Sequence, residues 1–180
     1  SCVITEGTWP TVLGEVDIDT RLAHGLAEAT SLARIGPGDY EPDNTIELQL
    51  PFVRRLFPDA RLVVAGVPAD DAAAAVGAAA VAQAERIGRK IVVVGSTDLT
   101  HYGPNYGFSP QGQGEAAVTW VKEKNDARAV SLMQQLDAET LRTEALRDHF
   151  CCCPGATAAA VSAAKAAGAT GLIIPDLVPG

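Results

Sequence analysis

Aromatic residues are scarce in this 180-residue chain: Phe, Trp and Tyr together make up 5% of it. A core with so few rings must be filled by Ala, Val, Leu and Ile, which suit helices packed closely on a parallel sheet. Basic residues are in the minority, 14 Lys and Arg against 22 Asp and Glu, for a formal net charge of −8. No basic stripe is visible, which argues against nucleic acid and against an anionic membrane surface as partners. The pairs Arg54-Arg55 and Arg89-Lys90 read as solvated helix ends. No apolar run reaches the roughly 20 residues that cross a bilayer, and no basic–apolar–small signal pattern opens the chain. A glycine-rich phosphate loop, a serine nucleophile elbow and a CxxC pair are all missing. Histidine is rare as well, limited to His24, His101 and His149.

Cysteine is present four times, as Cys2 and the consecutive run Cys151-Cys152-Cys153. Adjacent cysteines rarely bridge, because vicinal geometry is strained. Three in a row do not make a secreted disulfide framework. A reducing, cytoplasmic compartment is therefore expected.

Hydrophobic residues at 47% and charged residues at 20% describe an ordinary globular composition. The length suffices for one domain with a real core. Ser1 to Thr5 is β-like, and a chain opening inside a strand suggests that something precedes it. Asp17 or Asp19 caps a helix to about Thr30, with Leu22, Leu26 and Ala29 on one face. Ile35 to Asp43 reads as a loop. Asn44-Thr45 opens a second helix that Pro51 starts or kinks. Arg61 to Val67 predicts a short strand, and Asp70-Asp71 precedes an alanine-rich helix ending near Gly88. Lys90 to Ser96, with its unbroken β-branched run, predicts a strand buried on both faces. Helices are expected over Glu115 to Leu136, Ala138 to His149 and Ala156 to Ala167, followed by a last strand at Leu172-Ile173-Ile174. This alternation implies a single α/β domain over residues 1–180, with a mostly parallel sheet and helices on both faces.

Three segments can carry chemistry. Gly95 to Gly103 follows the strongest strand, and open α/β sheets collect ligands beyond their C-terminal strand ends. Asp98, His101 and Tyr102 there form a plausible acid/base cluster; the plain alternative is a turn cap and a surface histidine. Cys151 to Gly155 starts a helix, where a thiol can be reactive or bind metal; otherwise these are small buried hydrophobes. Asp43 to Phe52 carries Glu47 in an apolar stretch, a polar group near the site or simply part of a capping box.

These segments together resemble the MEMO family, whose bacterial and archaeal members are often called AmmeMemoRadiSam system protein B. "DNTIELQLPF" at Asp43 to Phe52 resembles that family's "EHSIE-x-x-LPF". "GSTDLTHYG" at Gly95 to Gly103 resembles "SSDLSHYG", and "CCCPGATAAAVSAAKAAGA" from Cys151 resembles "CGPGAIAALL-x-AAK-x-x-GA". "TVLGEVDID" at Thr11 to Asp19 resembles "TPLGEVPVD". The family shares the fold of the class III extradiol ring-cleavage dioxygenases. The resemblance implies a non-haem metal, usually iron, held by two histidines and a cysteine. It implies Cys152 as the cysteine ligand, His101 as acid/base and Asp98 as its neighbour. Tyr102, Glu47 and Asn44 are expected on the substrate side. The family's two histidine ligands fall in segments like "PHAGY" and "GPSHH", ahead of the part matched here. Asn44 stands where the family has a histidine, and Cys153 where it has a glycine.

The expectation is thus the C-terminal portion of a MEMO-like domain. It would be a subunit or fragment of a metal-dependent oxidoreductase, with iron held only together with ligands from a partner chain or missing segment. The alternatives are a non-catalytic scaffold subunit of the same fold and a metal-free thiol enzyme using Cys152.

Overall fold

The computed structural model describes residues 1–39 and 44–171. Strand β1 (Cys2–Ile4) lies between β4 (Ala33–Ile35), parallel to it, and β5 (Ala65–Gly66), antiparallel. Strands β2 (Thr8–Trp9) and β3 (Val16–Asp17) form a separate antiparallel pair. Helices carry most of the rest: α1 (Thr20–Ala29), α2 (Asn44–Glu47), α3 (Leu50–Leu56), α4 (Ala73–Arg86), α5 (Glu115–Trp120), α6 (Ala127–Gln134), α7 (Ala138–Asp148) and α8 (Pro154–Ala166). The architecture is α/β, as expected. The sheet among the described residues, however, is small and mixed rather than mostly parallel.

The helix boundaries follow local chemistry. The Asp19 carboxylate accepts from the Leu22 amide at 3.1 Å and starts α1. Asp137 does the same for α7 through Thr140. Pro51 separates α2 from α3, because its ring tolerates only the first turn of a helix. The expected strand over Arg61 to Val67 shrinks to β5 plus a single bridge between Leu62 and Ile18. Asp43, the first residue of the segment read as a capping box, and the expected strand Leu172-Ile173-Ile174 lie outside the described residues.

Lys90 to Ser96 departs most from expectation. The segment forms no ladder among the described residues, and its side chains alternate between exposed and half-buried. Val92 is 81% and Val94 70% exposed. One face nevertheless packs. A β-carbon at Gly95 would stand 2.6 Å from the Ala156 carbonyl oxygen and 2.8 Å from the Ala160 methyl, so only glycine lets α8 come this close. A ladder needs a neighbouring strand, and none of the described strands pairs with this β-branched run.

Two apolar clusters hold the fold. One joins β1, α1 and Val76 of α4 around Val3, Ile4 and Leu26. The other joins α6, α7 and α8 around Leu132, Leu141 and Phe150. Helix α4 spans both clusters through Ala73 and Val76, and it packs most extensively against α8. At that crossing a β-carbon on Gly77 would collide with the Ala159 carbonyl. Gly77→Val is therefore expected to destabilise the chain by about 1–3 kcal/mol through overpacking. A urea midpoint equal to that of the parent chain would contradict the close crossing.

Candidate functional site

The turn after Lys90 to Ser96 meets the start of α8, and the two segments clasp each other. The Cys152 amide donates to the Asp98 carbonyl at 3.1 Å. The Asp98 amide donates back to Cys152 Sγ at 3.2 Å. The Cys153 amide donates to Thr97 Oγ1 at 3.1 Å, and Thr97 Oγ1 lies 3.6 Å from Cys152 Sγ. This clasp places one carboxylate, one imidazole and one thiol together. Ligand atoms of Asp98, His101 and Cys152 all lie within 4.8 Å of one another. His101 Nε2 is 3.1 Å from Asp98 Oδ2, the geometry of an imidazole N–H donating to a carboxylate. The His101 ring stacks on Tyr106 with centroids 4.6 Å apart, which fixes its plane. The site is open: Asp98 is exposed and the His101 side chain is 39% exposed.

The three consecutive thiols have different environments. Cys151 points into the core beside Thr157, and burial pushes its thiol pKa up. Cys152 is exposed and faces the turn. Cys153 is half-buried at the cap of α8; burial, and then the adjacent Cys152, push its thiol up to about 11.

Thr100 anchors the turn from behind. Its amide and hydroxyl both donate to Asp126 Oδ1, at 3.1 and 2.5 Å. The buried Asn125 amide donates to Thr100 Oγ1 and to the Asp148 carbonyl, each at 3.0 Å. Both partners lie in a π-helical stretch, Val121–Asp126, between α5 and α6. The sequence pattern read this region as plain helix. The one signal on offer was an Asn-Asp pair, weak helix formers, inside it. Asn125→Ala leaves the Asp148 carbonyl without this donor and is expected to cost about 1–3 kcal/mol. It should also speed amide exchange at Thr100, and unchanged exchange there would argue against the anchor.

The other expected residues stand apart from the cluster. The Tyr102 hydroxyl accepts from the Gln111 amide at 2.9 Å and donates to the Gly112 carbonyl at 3.0 Å, which ties down its own loop. Its ring packs with Phe108 and Trp120. A shallow groove of about 400 Å³ beside it is lined by Gly114, Ala117, Val121 and Lys122 and does not reach Asp98, His101 or Cys152. Asn44 and Glu47 are exposed on α2 and lie outside the donor cluster. His149 packs on Phe108, and His24 lies on α1; neither joins the cluster. Among the described residues no helix is long and apolar enough to cross a membrane.

A family described as Memo-like protein matches residues 1–176. A MEMO1 family protein of Pyrococcus abyssi is 33% identical over 167 residues, covering 88% of this chain and 57% of that protein. One from Thermococcus onnurineus is 30% identical over 175 residues, covering 93% of this chain and 60% of its own length. One from Methanopyrus kandleri is 32% identical over 171 residues, covering 93% and 56%. The chain thus spans less than two thirds of each of these relatives. Matched along nearly its whole length, this chain belongs to the Memo-like protein family.

Proposed function

We propose that this chain provides one side of a mononuclear metal site in a Memo-family oxidoreductase. The convergence of Asp98, His101 and Cys152 within 4.8 Å carries this reading. A thiolate donor suits iron or another first-row ion, and an imidazole and a carboxylate beside it can act on a small substrate bound there. The exposed Cys152 sulfur therefore fits the cysteine ligand that the family implies. Cys152 supplies the sulfur donor. The Asp98–His101 pair holds a proton at Nε2 and can deliver or accept it beside the metal. When bound, the ion would supply Lewis acidity and an electron-transfer centre. Asp98 and His101 also lie close enough to Cys152 to bind the ion directly, a second assignment that the same spacing favours.

The remaining ligands come, in this proposal, from the part of the Memo domain that the chain does not match, provided by a partner or a longer chain. Two apolar surfaces support that. Val92 and Val94 are exposed on the unladdered segment, which leads directly to Asp98. Leu48, Phe52 and Leu56, spaced four residues apart along the α3 region, are 63, 67 and 67% exposed. Exposed apolar side chains at this spacing suit an interface, which the unmatched part of the domain would cover. Asn44, Glu47 and Tyr102 are assigned to the substrate side of the completed pocket. The chain is placed in the cytoplasm, where its thiols stay reduced.

Metal analysis tests this directly. The chain should retain iron or cobalt when produced with the unmatched portion of the Pyrococcus abyssi relative, and His101→Ala should lower any turnover of that complex on the order of 100-fold. No metal in the complex, with full turnover by His101→Ala, would overturn it.

A further inference from the structure

The sulfurs of Cys152 and Cys153 lie 3.4 Å apart, both thiols are free, and neither is fully buried. Their amides are held by the clasp with Thr97 and Asp98, which fixes the two residues on the same side of the α8 start. Cys151 points away into the core and cannot join them. A sulfur pair at this separation, reached by solvent, is arranged to react together. We propose that Cys152 and Cys153 form a peroxide-responsive pair that closes reversibly into a disulfide and withdraws the Cys152 sulfur from the site.

The chemistry balances with hydrogen peroxide as oxidant. The Cys152 thiolate attacks one peroxide oxygen, the O–O bond breaks, and hydroxide leaves. Cys152 then carries a sulfenic acid. Cys153 sulfur attacks Cys152 sulfur, the S–S bond forms, the S–O bond breaks, and a second hydroxide leaves. The two thiol protons convert the two hydroxides to water. Two thiols are oxidised by two electrons in total, and the peroxide is reduced by two. Adjacent residues stand only about 3.8 Å apart at Cα, closer than an unstrained bridge prefers, so the bond is readily reduced by a thiol. Strain here makes the bridge a reversible cap rather than a structural staple. The Cys153 thiol also catches the sulfenic acid before it proceeds to irreversible sulfinic acid.

Only the effect on metal binding rests on the proposed function; the bond itself does not. The test is intact-mass analysis of the reduced full chain, before and after hydrogen peroxide, with N-ethylmaleimide trapping free thiols. The expected product is lighter by about 2 Da, takes up two fewer maleimides, and reverts with dithiothreitol. Cys151→Ala should behave like the parent chain. Cys153→Ala should instead gain about 16 or 32 Da, as sulfenic or sulfinic acid. Cys153→Ser, closer in size and polarity, serves if the alanine variant fails to fold. Gain of oxygen by the parent chain without the mass loss would overturn the proposal. So would a mass loss that survives both Cys153 variants. Cobalt(II) content is read on the chain produced with the unmatched portion of the Pyrococcus abyssi relative. A complex whose chain forms the bond but never holds metal keeps this proposal and sinks the metal site.

Discussion

In the chain produced with the unmatched portion of the Pyrococcus abyssi relative, Cys152→Ala is expected to lower the affinity for cobalt(II) on the order of 100-fold or more, and to abolish the thiolate-to-metal absorption band. The reason is positional. Of the three consecutive thiols, Cys152 alone lies within 4.8 Å of both the Asp98 and His101 ligand atoms. Its sulfur also receives the Asp98 amide at 3.2 Å, the kind of outer contact that orients a metal ligand. The side chain is exposed, so its removal leaves no cavity and the unfolding midpoint should barely move. Cys151→Ala should show the reverse pattern, with a loss of stability and an intact band, because Cys151 is buried in the cluster around Phe150. An intact band in Cys152→Ala together with a lost band in Cys151→Ala would contradict the assignment.

Phe150→Ala is expected to cost about 3–5 kcal/mol, read as a large drop in the urea midpoint. Phe150 is fully buried and heads the large buried side chains, with Leu132 and Leu141 beside it in the second cluster. Truncation removes a ring from a core that has few, and small neighbours such as Ala145 and Ala158 cannot fill the space. A domain is stable by only about 5–15 kcal/mol, so this single change consumes a large fraction of the total. Phe150 also precedes the cysteine run directly. Loss of the ring should loosen the α8 start and weaken cobalt(II) binding along with stability. A cost under about 1 kcal/mol would mean that the α6–α7–α8 cluster does not depend on this ring.

What the sequence disclosed divides along a physical line. Helix ends were legible because capping is local: Asp19, Asp137 and Pro51 act within a few residues of themselves. The donors Asp98, His101 and Cys152 were legible as residue types at promising places. Their meeting depends on a hydrogen bond spanning 54 residues, which spacing alone does not reveal. Strand pairing is equally non-local. Lys90 to Ser96 has strand composition, yet it forms no ladder among the described residues, where Val92 and Val94 stay exposed. Asn125 and Asp126 stayed hidden inside a helical pattern, because the π-helical stretch that brings them to Thr100 has no simple periodicity. Tyr102 was singled out for its place beside His101, but its hydroxyl holds the loop ending at Gly112.

X-ray absorption on the metal-loaded complex of the chain with the unmatched portion of the domain tests the sulfur-containing site most directly. A Cys152-ligated ion should show a sulfur scatterer at about 2.3 Å alongside nitrogen and oxygen near 2.0–2.2 Å. A first shell of nitrogen and oxygen alone, unchanged in Cys152→Ala, would contradict it.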